Sequence, residues 1–307
     1  MSLLVVGSMA YDSVETPFEM VDEALGGSAT FFSAAASYFL PVNLVAVVGD
    51  DFDMEIIAFL RDKGVDLSGL IVEAGKTFRW KGRYLENMID RETIYTHLNV
   101  FEKFNPVLPE GYKKSKYIFL ANISPDLQYN VIEQIAAPRF VAMDTMNFWI
   151  SGTRDALERT LAVVDALLIN DSEVRELSGE NNIYTGARII QAMGPKTLII
   201  KKGENGALLI HENNRFFCPA YPVEKLSDPT GAGDTFAGGF MGYLAKNDDL
   251  SFEGLKRAVV FASAFASFCV ESFSVERLKA LTASEITGRV RELYSMMSLE
   301  DGEWMKL

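Results

Sequence analysis

The residues best placed for chemistry lie in Ser227-Asp228-Pro229-Thr230-Gly231-Ala232-Gly233-Asp234-Thr235-Phe236, which runs into the small apolar stretch 237–245. Pro229 ends the preceding element, and Gly231 and Gly233 let backbone amides turn inward. The pattern predicts a loop opening a helix, with an N-terminus that offers N–H groups to an oxyanion or phosphate. Asp234 is the informative residue, because a carboxylate among such amides repels a bound phosphate unless it has a task of its own. Proton removal is one such task, since transfer of a phosphoryl group to a hydroxyl needs a base beside an anion hole. A helix cap is the other, since Asp favours that position.

Three further groups carry candidate chemistry. Asp12 follows the first strand expected at 3–7, where open α/β sheets place ligands, and reads either as an acceptor of two hydroxyl hydrogen bonds or as a turn residue. Gly26-Gly27-Ser28-Ala29-Thr30 is a second flexible loop feeding a helix. Asn170-Asp171-Ser172-Glu173 offers oxygen ligands suited to Mg²⁺ reached through water, and equally a helix cap followed by a first-turn acid.

Composition narrows the classes. With 307 residues and 49% hydrophobic content the chain can bury a large core, and it reads as one domain over 1–307. A formal charge of -13 argues against a nucleic-acid polymer or an anionic membrane as partner. Cys218 and Cys269 stand in apolar sequence without metal-ligand spacing, so buried, reduced thiols and a cytoplasmic location are expected. The uncharged stretch 24–49 is broken by Gly26-Gly27 and Pro41 and is read as loop, helix and strand rather than as a membrane span.

Those residues need elements to hold them. Apolar strands are expected at 42–48, 117–121, 140–143, 166–169 and 197–201, alternating with helices, which signals a mostly parallel sheet covered on both faces. Late helices are expected at 256–270 and 283–296. Between 76 and 104 the pattern becomes alternating, around a turn at 87–91, and reads as a small β insertion. Arg79, Lys81 and Arg83 share one face of it, as a solvated edge or as substrate-facing charge.

The string 228–236 resembles the C-terminal signature of the PfkB (ribokinase-like) family of sugar and nucleoside kinases, and the order Asp12, Gly26-Gly27, β insertion, Asn170 to Glu173, Gly203 to Gly206, Asp234 is similar to that family over the full length. The resemblance implies a ribokinase-like α/β fold with a small β lid at about 76–104. It implies Asp234 as general base, with Gly231, Ala232 and Gly233 as anion hole. It implies ATP as phosphoryl donor held near Asn170, Lys202, Gly203, Gly206, Thr230, Gly231 and Gly233, and Mg²⁺ near Glu173. The acceptor would contact Asp12, Gly26, Gly27, Asn147 and Asp234, and the resemblance leaves room for a monovalent cation near Asp228 and for a homodimer through the lid. Phe31 departs from ribokinase, which has Asn there, and is read as core. The expected activity is transfer of the ATP γ-phosphoryl group to a hydroxymethyl group, with a slight lean to a nucleoside acceptor over a sugar or polyol. The rival from another class is a nucleotide-binding regulator without turnover. A dinucleotide-dependent oxidoreductase is disfavoured, because only Gly7 follows the first strand.

Overall fold

In the computed structural model, described over residues 2–298, the apolar strands assemble one nine-stranded sheet. Its order is β13 (Asn214–Cys218), β12 (Ala207–His211), β11 (Thr197–Lys201), β10 (Ala166–Asn170), β9 (Phe140–Asp144), β8 (Tyr117–Leu120), β1 (Leu3–Val6), β4 (Val42–Gly49) and β5 (Val65–Glu73). From β11 to β5 every pairing is parallel, while β12 and β13 close one edge antiparallel.

Period-two alternation explains why these strands are apolar throughout. Leu3 and Val5 face a core built with α1 (Ser28–Ala36), α8 (Ala232–Asn247) and α9 (Phe252–Cys269). Leu4 and Val6 face a second core with α3 (Pro125–Glu133), α5 (Arg154–Leu161), α6 (Asp171–Ser178) and α7 (Ile183–Ala192). The helix expected at 256–270 begins earlier, because the Ser251 hydroxyl caps it at Gly254 N–H. α11 (Ala283–Met297) opens on a Thr282/Glu285 capping box.

A second sheet of four strands has the order β3 (Met20–Gly26), β2 (Ala10–Glu15), β6 (Phe78–Tyr84) and β7 (Arg91–His97). The alternating stretch 76–104 supplies only half of it. The other half comes from 10–26, so Asp12 lies within a strand of this sheet, opposite Trp80. Its outer charges pair: Arg79 with Glu23 and Asp51, Lys81 with Asp22, and Arg83 with Glu15. They therefore form a solvated face.

Among the described residues, no helix is long and apolar enough to cross a membrane. Both cysteines are free and buried.

Candidate active site

Three neighbouring parallel strands end on polar residues: β9 on Asp144, β10 on Asn170 and β11 on Lys201, with Asn170 and Lys201 in register. Strands that are apolar until their last residue can present a charged group only at the carboxyl edge, and α8 begins there. The Lys201 ammonium is 3.2 Å from Asp144 Oδ2 and lies 3.1 Å from where a side chain on Gly233 would start. Burial works against the lysine charge, but Asp144, Glu173 and Asp234 outweigh it and hold the pKa above its ordinary value.

Gly231 caps α8 with φ of 75°, a left-handed conformation that favours glycine, and the Phe31 ring lies flat beneath it. An added Cβ would come within 2.4 Å of that ring, so Phe31, fully enclosed, is the floor of the loop. The amides of Gly231 and Gly233 carry no hydrogen bond within the described residues and the Asp234 N–H bears on its own carboxylate, whereas Ala232 N–H is already donated to the Pro229 carbonyl at 3.2 Å. Of the Gly231 to Asp234 amides expected to form an anion hole, that of Ala232 is therefore engaged within the loop in this structure. Asp234 is the third helical residue, partly open to the cleft. Burial pushes its carboxyl up to about 7, Asp144 adds to this, and Lys201 and Arg91 oppose it.

Asp12 stands across the cleft on β2. Its carboxylate passes so close over Gly26 that a Cβ there would lie 2.0 Å from Oδ2. Burial pushes Asp12 up to about 7, against the pull of the Gly27 amide, with Asp228 and Asp234 adding to the rise. Gly27 caps α1, and reciprocal hydrogen bonds between Ser8 and Ser28 pin that helix start to the end of β1. The sequence brings Asp12, Gly26, Gly27 and Asp234 together through elements far apart in the chain.

Other expected residues have different surroundings. Asn170 and Glu173 form a capping box: Asn170 Oδ1 accepts from Glu173 N–H at 2.8 Å, and Glu173 Oε2 accepts from Asn170 N–H at 2.9 Å. One Glu173 oxygen is left over, and burial pushes this carboxyl up to about 7. Thr230 is tied on both sides, its N–H to Asp228 Oδ1 at 2.8 Å and its hydroxyl to Tyr84 of the second sheet at 3.2 Å. Asp228 is enclosed and its pKa is raised by burial. Gly203 and Gly206 make the turn between β11 and β12, where Lys202 N–H donates to the Gly206 carbonyl. Asn147 opens α4 (Asn147–Gly152) with its side chain exposed.

Lys202 was expected near the ATP phosphates. Its ammonium lies 5.9 Å over the Phe217 ring on β13, and the lysine that reaches the α8 N-terminus is Lys201. The period of two carries the missed signal, because Ile199 packs on the α8 side of the sheet while Leu198 and Ile200 pack on the other, which puts Lys201 with Ile199. Asp144 was read only as the strand-end start of the segment 144–147 that resembles the family's Asp-x-Asn, without a partner, and Tyr84 and Arg91 were missed. Asp144 ends a strand and has the same signal as Lys201. The other two depend on strand register in the second sheet.

Residues 2–280 match the family described as pfkB family carbohydrate kinase. Over 249 residues the chain is 30% identical to the cytidine kinase of Thermococcus kodakarensis, covering 78% of this chain and 87% of that protein. It is likewise 30% identical over 249 residues to the ATP-dependent ribose-1-phosphate kinase of Halopiger xanaduensis, covering 78% of each. The crystal structure of the nucleoside kinase of Methanocaldococcus jannaschii has the same fold, with a TM-score of 0.76 at 18% identity over 95% of this chain and 98% of that one. The open helix N-terminus, its carboxylate and the strand-edge lysine thus stand in a chain that belongs to the pfkB family of carbohydrate kinases and is an ATP-dependent carbohydrate or nucleoside kinase.

Proposed function

We propose that the chain transfers the γ-phosphoryl group of ATP to the hydroxymethyl group of a nucleoside. Asp234 takes the hydroxyl proton while the amides of Gly231 and Gly233 hold the charge on the phosphoryl oxygens. The observation that carries this reading is the placement of Asp234: a carboxylate with a pKa near 7 beside the free Gly231 and Gly233 amides at a helix N-terminus. A base of that strength is about half deprotonated at neutral pH and accepts a proton readily.

Lys201 sits on the donor side and would contact the nucleotide phosphates, with Asp144 fixing its position. Asp12 sits on the acceptor side, where a carboxylate accepts two hydroxyl hydrogen bonds and suits a ribose diol. The donor set fits Mg²⁺ held by phosphate oxygens and water, with the spare Glu173 oxygen reaching it through that water. No group of three His, Cys, Asp or Glu side chains that could hold a metal ion occurs among the described residues. Such an ion supplies charge neutralisation on the transferred group. The same reading includes a homodimer through the exposed Phe18, Met20 and Ile94 of the second sheet, which the mass in solution tests.

The nucleoside lean rests on the relatives named cytidine kinase and nucleoside kinase; the ribose-1-phosphate kinase supports a sugar phosphate as the second reading. ADP release from Mg²⁺–ATP across cytidine, other nucleosides, ribose 1-phosphate, pentoses, hexoses and inositols decides between them. Release that depends on an acceptor and is lost in Asp234→Asn supports phosphotransfer. Tight ATP binding with no release for any acceptor moves the chain to a non-catalytic regulator.

A further inference from the structure

The second sheet carries four cations near the cleft, and three of them are neutralised locally. Arg79, Lys81 and Arg83 each pair with a carboxylate on the outer face. Arg91, the first residue of β7, forms no ion pair within the described residues. It is exposed, and what sets it apart is its position.

Its surroundings define that position. Arg91 is opposite Tyr84 in the β6–β7 pairing, and the Tyr84 hydroxyl is 3.2 Å from Thr230 Oγ1, one residue before Gly231. The guanidinium lies 5.3 Å over the Trp80 indole, which itself lies flat over Gly82, where a Cβ would be 2.1 Å from the ring. Trp80 in turn is in register with Asp12. Arg91 is therefore held on the cleft side of the sheet by stacking, between the acceptor carboxylate and the start of α8. Three carboxyls from three different elements feel its charge: Asp12 on β2, Asp234 on α8 and Glu173 on α6. Lys201, coming from the sheet below, is felt by Asp234 and Glu173 as well.

We infer that Arg91 is a catalytic residue that contacts the phosphoryl group in flight, closing from above the oxyanion that Lys201 and the α8 amides hold from below. A group transferred through a loose transition state spreads its charge over three equatorial oxygens, and amides on one side leave the opposite side open. Because Arg91 rides on the second sheet and that sheet is fastened to the anion-hole loop through Tyr84 and Thr230, the second cation is in place only when the sheet is closed. Closure and transition-state stabilisation are thereby one event. This rests on the phosphotransfer reading above.

The test compares Arg91→Gln and Arg91→Lys with Arg83→Gln, which removes the same charge from the outer face. For each, kcat and the KM of both substrates are measured, together with calorimetric binding of ADP alone and of ADP with aluminium fluoride and Mg²⁺, a mimic of the planar phosphoryl group. Arg91→Gln is expected to lower kcat about 10²- to 10³-fold, the usual effect of losing one such contact. The acceptor KM should stay within a few-fold. Affinity for ADP with aluminium fluoride should fall at least about 10-fold while ADP alone binds as before. Arg91→Lys should recover part of the loss, and Arg83→Gln should match the wild type.

A raised acceptor KM with kcat retained would show that Arg91 reads an anionic acceptor instead and would overturn the inference. So would an Arg91→Gln variant indistinguishable from Arg83→Gln. A wild type that releases ADP for no acceptor overturns the phosphotransfer reading and this inference with it. A wild type that turns over alongside an equally active Arg91→Gln overturns this inference alone.

Discussion

The floor of the cleft and the sheet above it manage charge in opposite ways. On the floor, Asp144, Lys201 and Glu173 stand at the ends of buried strands or in a first helical turn, and they neutralise one another inside the protein. Above, Arg79, Lys81 and Arg83 meet their carboxylates in solvent, where each pair is worth roughly 0–1 kcal/mol. The floor is rigid because two hydrophobic cores clamp the strands that carry it. The four-stranded sheet has only a small cluster of its own, Val14, Tyr84 and Met88. The contrast fits the proposed division of labour: fixed geometry for the proposed base and the donor, a lightly held element for the proposed closure.

If that division holds, damage to the floor costs turnover and damage above it costs coupling. The largest effect belongs to Asp234→Asn, with a loss of about 10²- to 10⁴-fold in kcat and retained nucleotide binding. The raised pKa also fixes a pH dependence. The working form is deprotonated, so wild-type activity should fall as pH drops through about 7 and level off above it. A pH–rate profile that is flat between 5.5 and 8 would sink the assignment. Next comes Lys201→Met, expected to lower kcat by about 10²-fold and to weaken ATP. Lys201→Arg should keep the charge and part of the rate. Equal rates for Met and wild type would remove Lys201 from the donor side.

Contiguity decided how much of this could be read in advance. The segment from Asp228 to Asp234 holds its loop, glycines and carboxylate in one stretch, so a loop opening a helix was legible there, while the direction of the Ala232 amide depends on the Pro229 carbonyl. Asp12 was legible as a residue but not as part of a strand, because Met20–Gly26, which pairs with it, includes Asp22 and Glu23 and lacks a clean alternation. Lys201 and Lys202 differ by one position, and only the face of β11 separates them. Arg91 was out of reach, because β7 carries an extra residue where the β6 register shifts between Lys81 and Gly82. Glu173 caps a helix with one oxygen, as one of its two readings had it, and keeps the other oxygen for the proposed Mg²⁺ role.

Asp12→Asn tests the acceptor wall on both counts. The folded-state pKa of about 7 lies above the ordinary 3.8, so charge on Asp12 is disfavoured in the native state, and stability is lost as pH rises through that value. The amide variant should therefore be more stable than the wild type at pH 8, by about 2 kcal/mol, with the difference shrinking toward pH 5. It should also raise the acceptor KM about 10-fold, since a hydrogen bond to a charged acceptor is replaced by a neutral one. Melting curves at the two pH values and one kinetic series check this. An Asn variant less stable at pH 8 would mean that the Gly27 amide, not desolvation, governs the site.

The smallest effect should come from Tyr84→Phe, and it is the sharpest test of the division. The hydroxyl is buried against Thr230, so its removal deletes one bridge between the closing sheet and the anion-hole loop without touching a reacting group. One such bond contributes about 0.5–1.5 kcal/mol net, enough to shift a closed–open balance several-fold but not to empty the closed state. Chemistry within closed complexes should be unchanged, so kcat at saturating substrates should fall by no more than a few-fold. Water should enter more often, so ADP release without acceptor should rise relative to release with it. Measuring both rates in the same preparation gives the ratio directly. A ratio equal to that of the wild type would mean that the Tyr84 hydroxyl does not fasten the sheet. A fall in kcat as deep as that of Arg91→Gln would mean that the hydroxyl belongs to the floor's chemistry rather than to closure, and the comparison between the two regions would have to be redrawn around it.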